Sequence, residues 1–252
     1  MRVRPGIEVV SLTDVGCQRE NNEDNFVYWE PDDDADFARL GRLAVIADGM
    51  GGTEGGQFAS QIAVDTVKQH YATGGGGDPQ QELLEAFRLA NSAVQEKARQ
   101  DARLRGMGTT LTAAAIVGSQ LCFAHVGDSR LYLFRKGSLR ALTRDHSLVA
   151  RLVESGVIRA QEADSHPQRH VLTAAIGVTD AMEPDIPAEP VQLESSDVML
   201  NCTDGLWGQM SEAEIAQTLS SHSTDNAAKA LVQLAKDHGG PDNITLQILK
   251  IS

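Results

Sequence analysis

Apolar positions along this chain fall into two rhythms. Short runs rich in β-branched and aliphatic residues occur at 7–11, 42–47, 110–117, 121–126, 131–134, 139–142, 198–202 and 244–251, and they predict strands. Arg135-Lys136-Gly137-Ser138, between two of these runs, predicts a hairpin turn. Residues 121–134 place apolar side chains on both faces, which suits a sheet covered on both sides. Elsewhere the spacing is helical. Phe58, Ile62, Ala63 and Val67 predict a helix over 56–70. Leu83, Phe87, Ala90 and Val94 predict a second, with Asp78 as its cap and Pro79 in its first position. Ser211 and Glu214 form a capping-box pattern ahead of Ile215 and Leu219. Ala227, Leu231 and Leu234 predict a helix over 226–238, and 147–155 reads as a shorter one ended by Gly156.

The order is strands, two long helices, a run of strands, an irregular insert, then a strand, helices and a last strand. Regular βαβ alternation is missing, which disfavours a doubly wound parallel sheet. An α+β fold, a sandwich of two antiparallel sheets with helices packed outside, accounts for the order better. We read residues 1–252 as a single domain, with 147–190 as a flap. Residues 30–36 read as an acidic, solvated loop, and 74–77 as a flexible one.

Composition narrows the function. The 252 residues carry a formal net charge of −13 without a basic stripe, which argues against nucleic acid or anionic lipid as a partner. Apolar runs stay well short of the roughly 20 residues that a membrane span needs. The first eleven residues lack a signal-peptide pattern, so a cytoplasmic location is expected. Cys17, Cys122 and Cys202 include no CxxC pair, against a cysteine zinc site or a disulfide framework. Cys122 and Cys202 lie in strand-like runs and read as small buried hydrophobes.

The chemistry sits in aspartates at strand ends. The run 43–47 leads into Asp48-Gly49, and 198–203 leads into Asp204-Gly205. Gly127-Asp128-Ser129 lies between two strands, and Asp242-Asn243 precedes the last. Any one Asp-Gly pair reads as an ordinary turn. Together they suggest several carboxylates on one rim, unfavourable unless cations neutralise them. Hard oxygen ligands favour Mg²⁺ or Mn²⁺ over zinc. Such a pair of ions can share a water acidified for in-line attack on phosphorus. Arg19 can grip a phosphate through its fork of donors, and Glu23 and Asp24 could hold waters on the ions.

Taken together, these segments resemble the metal-dependent protein phosphatase family, also called protein phosphatase 2C, in its short bacterial form. The resemblance covers residues 13–248 in the family's order. Its elements are Arg19-x-x-Asn22-Glu23-Asp24, Asp48-Gly49-Met50-Gly51-Gly52, Gly108-Thr109-Thr110, Gly127-Asp128-Ser129-Arg130, Asp145-His146-Ser147, His166-Pro167 with Leu172-Thr173, Thr203-Asp204-Gly205-Leu206 and Asp242-Asn243-Ile244-Thr245. The resemblance implies a four-layer α-β-β-α fold and two to three Mn²⁺ or Mg²⁺ ions. Asp48 would bridge two of them, with the Gly49 carbonyl on one. Asp204 and Asp242 would complete the first ion's shell, and Asp128 with Asp204 would hold a third, weaker ion. Arg19 would bind the substrate phosphate. Glu23, Asp24 and Asn243 would act behind the ligands or through waters.

This chain departs from the family in two places. Met50 stands where animal-type members carry a histidine proposed to protonate the leaving oxygen, and Ala174 stands where the flap often has arginine. Among the remaining residues, His125 reads as a packed core residue and His146 as a structural hydrogen-bonder. Trp29 and Trp207 read as packing residues. The glycine-rich stretch 51–56 lacks the Lys-Ser/Thr ending of a phosphate loop. The resemblance therefore implies a phosphoserine/phosphothreonine phosphatase, expected to be monomeric. Phosphorylated proteins, and a cognate kinase acting on the same proteins, would be its partners. The residues leave two alternatives open: a non-catalytic regulatory relative, or a two-metal esterase for small phosphorylated metabolites.

Overall fold

The computed structural model describes residues 3–51, 55–74, 77–163, 166–178 and 182–252. Gly52, Thr53 and Glu54 of the glycine-rich stretch, and Gly75 and Gly76 of the loop expected at 74–77, lie outside the described residues. The chain opens with β1 (Ile7–Asp14), β2 (Asn25–Trp29), α1 (Asp34–Leu40), β3 (Arg42–Ala47) and the short β4 (Gly49–Met50). The long helices α2 (Gly55–Thr73) and α3 (Pro79–Gln100) come next. Then run β5 (Gly108–Thr109), β6 (Leu111–Val117), β7 (Gln120–Val126), β8 (Arg130–Arg135) and β9 (Ser138–Ala141). After α4 (Leu148–Glu154), α5 (Ala160–Ala163) and β10 (Val191–Gln192) come β11 (Val198–Cys202), α6 (Asp204–Trp207), α7 (Glu212–Ser221), α8 (Thr224–Asp237) and β12 (Ile244–Ile251).

Among the described residues the strands form two five-stranded antiparallel sheets, ordered β1-β12-β11-β8-β9 and β10-β7-β6-β3-β2, and a small antiparallel pair, β4-β5. The period-2 alternation of each strand then dictates the layers. Along β3, Leu43, Val45 and Ala47 pack against Val64, Val67 and Phe87 of α2 and α3, while Ala44 faces the other sheet. Along β12, Ile244, Leu246 and Ile248 pack against Ile215, Ala228 and Leu231 of α7 and α8, while Leu249 faces inward. Helices thus cover both outer faces of a sandwich, as the four-layer expectation requires.

The inner layer is apolar at one end only. Ala44, Ala114, Leu131, Met199 and Leu249 fill that end. Towards the other, the same inward positions become Thr112, His125, Asn201, Thr203, Thr245 and Gln247, all fully buried. They are linked by hydrogen bonds. The Thr112 hydroxyl meets His125 Nδ1 at 2.8 Å, and His125 Nε2 donates to the Gly127 carbonyl at 3.0 Å. Gln247 Nε2 donates to the Val27 carbonyl at 3.0 Å. The strands that carry the candidate aspartates leave the sandwich at this polar end.

Local chemistry explains the element boundaries. Lys136 and Gly137, with φ of 51° and 82°, make the two-residue turn of the β8–β9 hairpin. Asp78 and the Ser211–Glu214 box cap α3 and α7 as expected, and Ser147 caps α4. Residues 30–36 correct the reading of a solvated loop in part: 32–36 are exposed, as read, but Asp34 opens α1. Glu30 is buried, accepting from the Tyr28 hydroxyl at 2.7 Å and lying 3.3 Å from Arg42 Nε. Asp33 caps α1 by accepting from the Ala35 and Asp36 amides. An acidic run here is a helix cap and first turn, where carboxylates complement the helix dipole. Isolated bridges Thr109↔Ile176 and His125↔Asp185 tie the segment between β9 and β10 to the body, and Ser147↔Leu172 closes it on itself. Among the described residues no helix is long and apolar enough to cross a membrane.

Burial, and then its neighbour His146, push the His125 imidazole down to about 3. It is therefore neutral in the folded state, whereas in the unfolded chain it protonates near about 6.5. Its contribution to stability is complete above that value and is lost as pH falls towards 3. Urea unfolding between about pH 6 and 4 should show an acid slope up to about 1.4 kcal/mol per pH unit steeper in the wild type than in His125→Gln. Equal slopes would contradict a neutral buried imidazole.

Candidate active site

Four strand ends meet at the polar end of the sandwich. Asp48 follows β3, Asp128 lies in the β7–β8 turn, Asp204 opens α6 after β11, and Asp242 precedes β12. All four line one open cleft of about 1530 Å³, with Arg19, Glu23, Met50 and Trp207 around them. Carboxylates from far-apart parts of the chain thus share one space.

The carboxyls perturb one another. Burial raises Asp48 well above the usual carboxylate range, and Asp24, Asp204, Asp128 and Asp242 push it further. Burial also raises Asp204, aided by Asp242 and opposed by a hydrogen bond to Asp48. Asp128 is raised by burial and then by Asp204 and Asp145. Among the described residues no three His, Cys, Asp or Glu side chains form a compact ligand cluster. The aspartates instead surround a shared space. Such spacing suits a hard divalent ion that keeps several of its waters better than an all-protein cage. Asp204 Oδ1 is buried without a hydrogen-bond partner among the described residues, a costly arrangement for a carboxylate unless a cation meets it. With an all-oxygen donor set, the residues present fit such an ion.

Backbone clamps hold the aspartates in place. The Asp48 amide donates to Thr110 Oγ1 at 2.9 Å. Its carbonyl accepts from the Thr110 amide at 2.9 Å and from Thr109 Oγ1 at 2.7 Å. The following glycines are required by chain packing. A Cβ on Gly49 would lie 2.2 Å from the Gly56 carbonyl oxygen and 2.6 Å from that of Glu23. One on Gly205 would lie 1.9 Å from the Asn243 carbonyl oxygen. Closeness between strand ends, more than access for an ion, is what excludes a side chain there.

Two further candidates, Asn243 and Asp24, serve as structural anchors. Asn243 Oδ1 accepts from the Glu23 amide at 2.8 Å, and its Nδ2 donates to the Val15 and Asn21 carbonyls at 3.0 and 2.9 Å. It thereby fastens the loop that carries Arg19. Asp24 Oδ2 accepts from Thr203 Oγ1 and Thr245 Oγ1 at 3.0 and 2.5 Å, bolting the two sheets together beneath the cleft. Burial raises its carboxyl to about 7. Glu23 is half-buried, and its carboxyl is raised, first by burial. Arg19 is half-exposed and pairs with Asp242 at 2.7 Å, so the expected phosphate grip stands beside an expected metal ligand.

His146 bonds as expected, accepting from the Gly127 amide at 3.3 Å and lying 3.2 Å from Asp185. Trp29 packs edge-on to Tyr71. Trp207 packs as expected, against the α7–α8 core, and it also lines the cleft, where its indole N–H donates to the Asp128 carbonyl at 2.9 Å. His170, exposed on the cleft wall, stands 3.9 Å from Asp204. Ala174 packs against the α2–α3 core. Thr110 belongs to the Gly108-Thr109-Thr110 element, but neither its bond to Asp48 nor that of Trp207 to Asp128 is marked by a local pattern, because these partners are distant in sequence.

A helix-flanked antiparallel sandwich with converging strand-end carboxylates beside an arginine defines the class of metal-dependent phosphatases. The family model for protein phosphatase 2C matches residues 10–244, and the chain belongs to that family. Its relatives include protein phosphatase PhpP of Streptococcus pneumoniae, 36% identical over 252 residues, covering 98% of each chain. A solved serine/threonine phosphatase of S. agalactiae matches with a TM-score of 0.89 at 36% identity, over 98% of this chain and 100% of that one. The catalytic domain of serine threonine protein phosphatase PstP, solved with two manganese ions, matches with a TM-score of 0.84 at 32% identity over 98% of each chain.

Gly205→Ala should lower stability by about 1–3 kcal/mol, because the methyl group has only backbone to displace. Denaturant unfolding at fixed pH measures this, and an unchanged midpoint would contradict the tight packing of Gly205 on Asn243.

Proposed function

We propose that this chain is a divalent-metal-dependent phosphatase that removes phosphate from phosphoserine and phosphothreonine in proteins, with two to three Mn²⁺ or Mg²⁺ ions as cofactors. The observation that carries this reading is the convergence of Asp48, Asp204, Asp242 and Asp128 in one cleft beside Arg19. Family membership and the manganese-bound PstP structure support it. When bound, the ions neutralise charge at the phosphoryl oxygens and supply a water acidified for attack on phosphorus.

In this reading Asp48 and the Gly49 carbonyl hold the ion pair, Asp204 and Asp242 complete the first ion's shell, and Asp128 with Asp204 holds a weaker third. Arg19 binds the phosphate. One end of its fork is engaged by Asp242, and its half-exposed side chain retains further N–H groups for the substrate. Thr109, Thr110 and Asn243 keep these side chains from moving apart. Residues 1–252 act as one domain, and 147–190 form a flap beside the cleft.

The cleft, about 1530 Å³, exceeds the roughly 300–1,000 Å³ usual for small-molecule sites, which favours a protein substrate over a metabolite. With all four aspartates in place, a non-catalytic relative is disfavoured. Phosphorylated proteins and the kinase that modifies them are the proposed partners. We place the enzyme in the cytoplasm as a monomer, and the −13 charge disfavours nucleic acid.

A chelator should abolish phosphopeptide hydrolysis and added Mn²⁺ should restore it; turnover that persists in chelator would contradict the metal reading. Arg19→Ala should raise KM for the phosphopeptide by about tenfold to a hundredfold, the worth of a charge-assisted hydrogen bond, with a smaller change in kcat. An unchanged KM would remove Arg19 from phosphate binding.

A further inference from the structure

Beneath the cleft lies a stack that the roles above leave unused. Trp207 ends α6, the short helix that Asp204 begins. Its indole N–H donates to the Asp128 carbonyl at 2.9 Å. The Arg130 guanidinium lies over the indole, 3.5 Å from the ring centroid. Arg130 is itself fixed on all sides. Its Nε and Nη2 donate to the two Asp145 oxygens at 2.9 and 2.7 Å, and its Nη1 donates to the Tyr132 hydroxyl at 2.9 Å. A guanidinium held by a planar two-point bond cannot slide, and a cation over an indole face holds that ring in register.

A single helical turn therefore touches both carboxylate residues. It carries Asp204 at its start, and at its end it reaches across to the backbone of Asp128. Simple packing would need only the ring; the indole N–H adds a directed bond to one particular peptide group. We propose that Trp207 is a positioning residue that sets the separation of Asp128 from Asp204, and through it the affinity of the weaker third cation. This rests on the reading that the two carboxylates share an ion.

Trp207→Phe keeps an aromatic ring under Arg130 and removes the N–H. In calorimetric titration of the metal-free full chain with Mn²⁺, this variant should weaken the weakest binding phase by about threefold to tenfold, the worth of one hydrogen bond. The tighter phases and the urea midpoint should stay near wild type. Fluorescence gives an independent readout, because the chain has two tryptophans and Trp29 lies away from the cleft against Tyr71. In Trp29→Phe, with Trp207 the sole indole, Mn²⁺ should change the emission in the weak phase, and adding Asp128→Asn should remove that change. A weak phase of wild-type affinity in Trp207→Phe, or an emission change that survives Asp128→Asn, overturns the assignment while leaving the tight-site reading intact. A wild-type chain that binds no Mn²⁺ at all overturns both.

Discussion

Mutual repulsion among carboxylates is the constraint around which this molecule is organised. Asp48, Asp128, Asp204 and Asp242 line one cleft. Burial first, and then the charge of neighbouring carboxylates, raises the Asp48, Asp128 and Asp204 carboxyls. A surface loop would relieve the strain by splaying apart. Here each aspartate is joined to a strand end or the turn between two strands, and the strands belong to packed sheets, so the repulsion is conserved for a cation to relieve.

The sandwich makes that possible by changing character along its length. At one end aliphatic side chains from both sheets interlock. At the other, threonines, His125, Asn201 and Gln247 take the same inward positions. Asp24 bridges the sheets there through Thr203 and Thr245. The apolar end supplies cohesion, and the hydrogen-bonded end supplies direction for the strand ends. Gly49 and Gly205 let neighbouring backbones close on each other at the rim, and Asn243 fastens the loop that presents Arg19.

Much of this was legible in the residues. Strand runs predicted all five strands of one sheet and β3, β6 and β7 of the other, and apolar spacing and caps predicted the long helices, since these signals are local; β2 and β10 lie outside the predicted runs. Repeated strand–Asp–Gly segments exposed Asp48 and Asp204, and the ordered motif series pointed to the family. What stayed hidden depends on partners far along the chain. Within the acidic run 30–36, which is exposed over 32–36, Glu30 too reads as solvent-facing until Arg42 and Tyr28 are placed beside it. Thr110 belongs to a recognised motif element, but its role is hidden until its hydroxyl is seen to receive the Asp48 amide. Trp207 reads as a packing residue, because the ring is visible in the sequence but the direction of its N–H is not. Asn243 and Asp24 were expected behind the ligands, and only the fold shows what each one fastens.

The claim that strand-end aspartates trap the ions can be examined directly by anomalous diffraction from crystals grown with Mn²⁺, at the manganese absorption edge. The account predicts two strong peaks within coordination distance of Asp48, Asp204 and Asp242, with any weaker peak at Asp128. Strong peaks elsewhere on the protein, with none between these carboxylates, would contradict it.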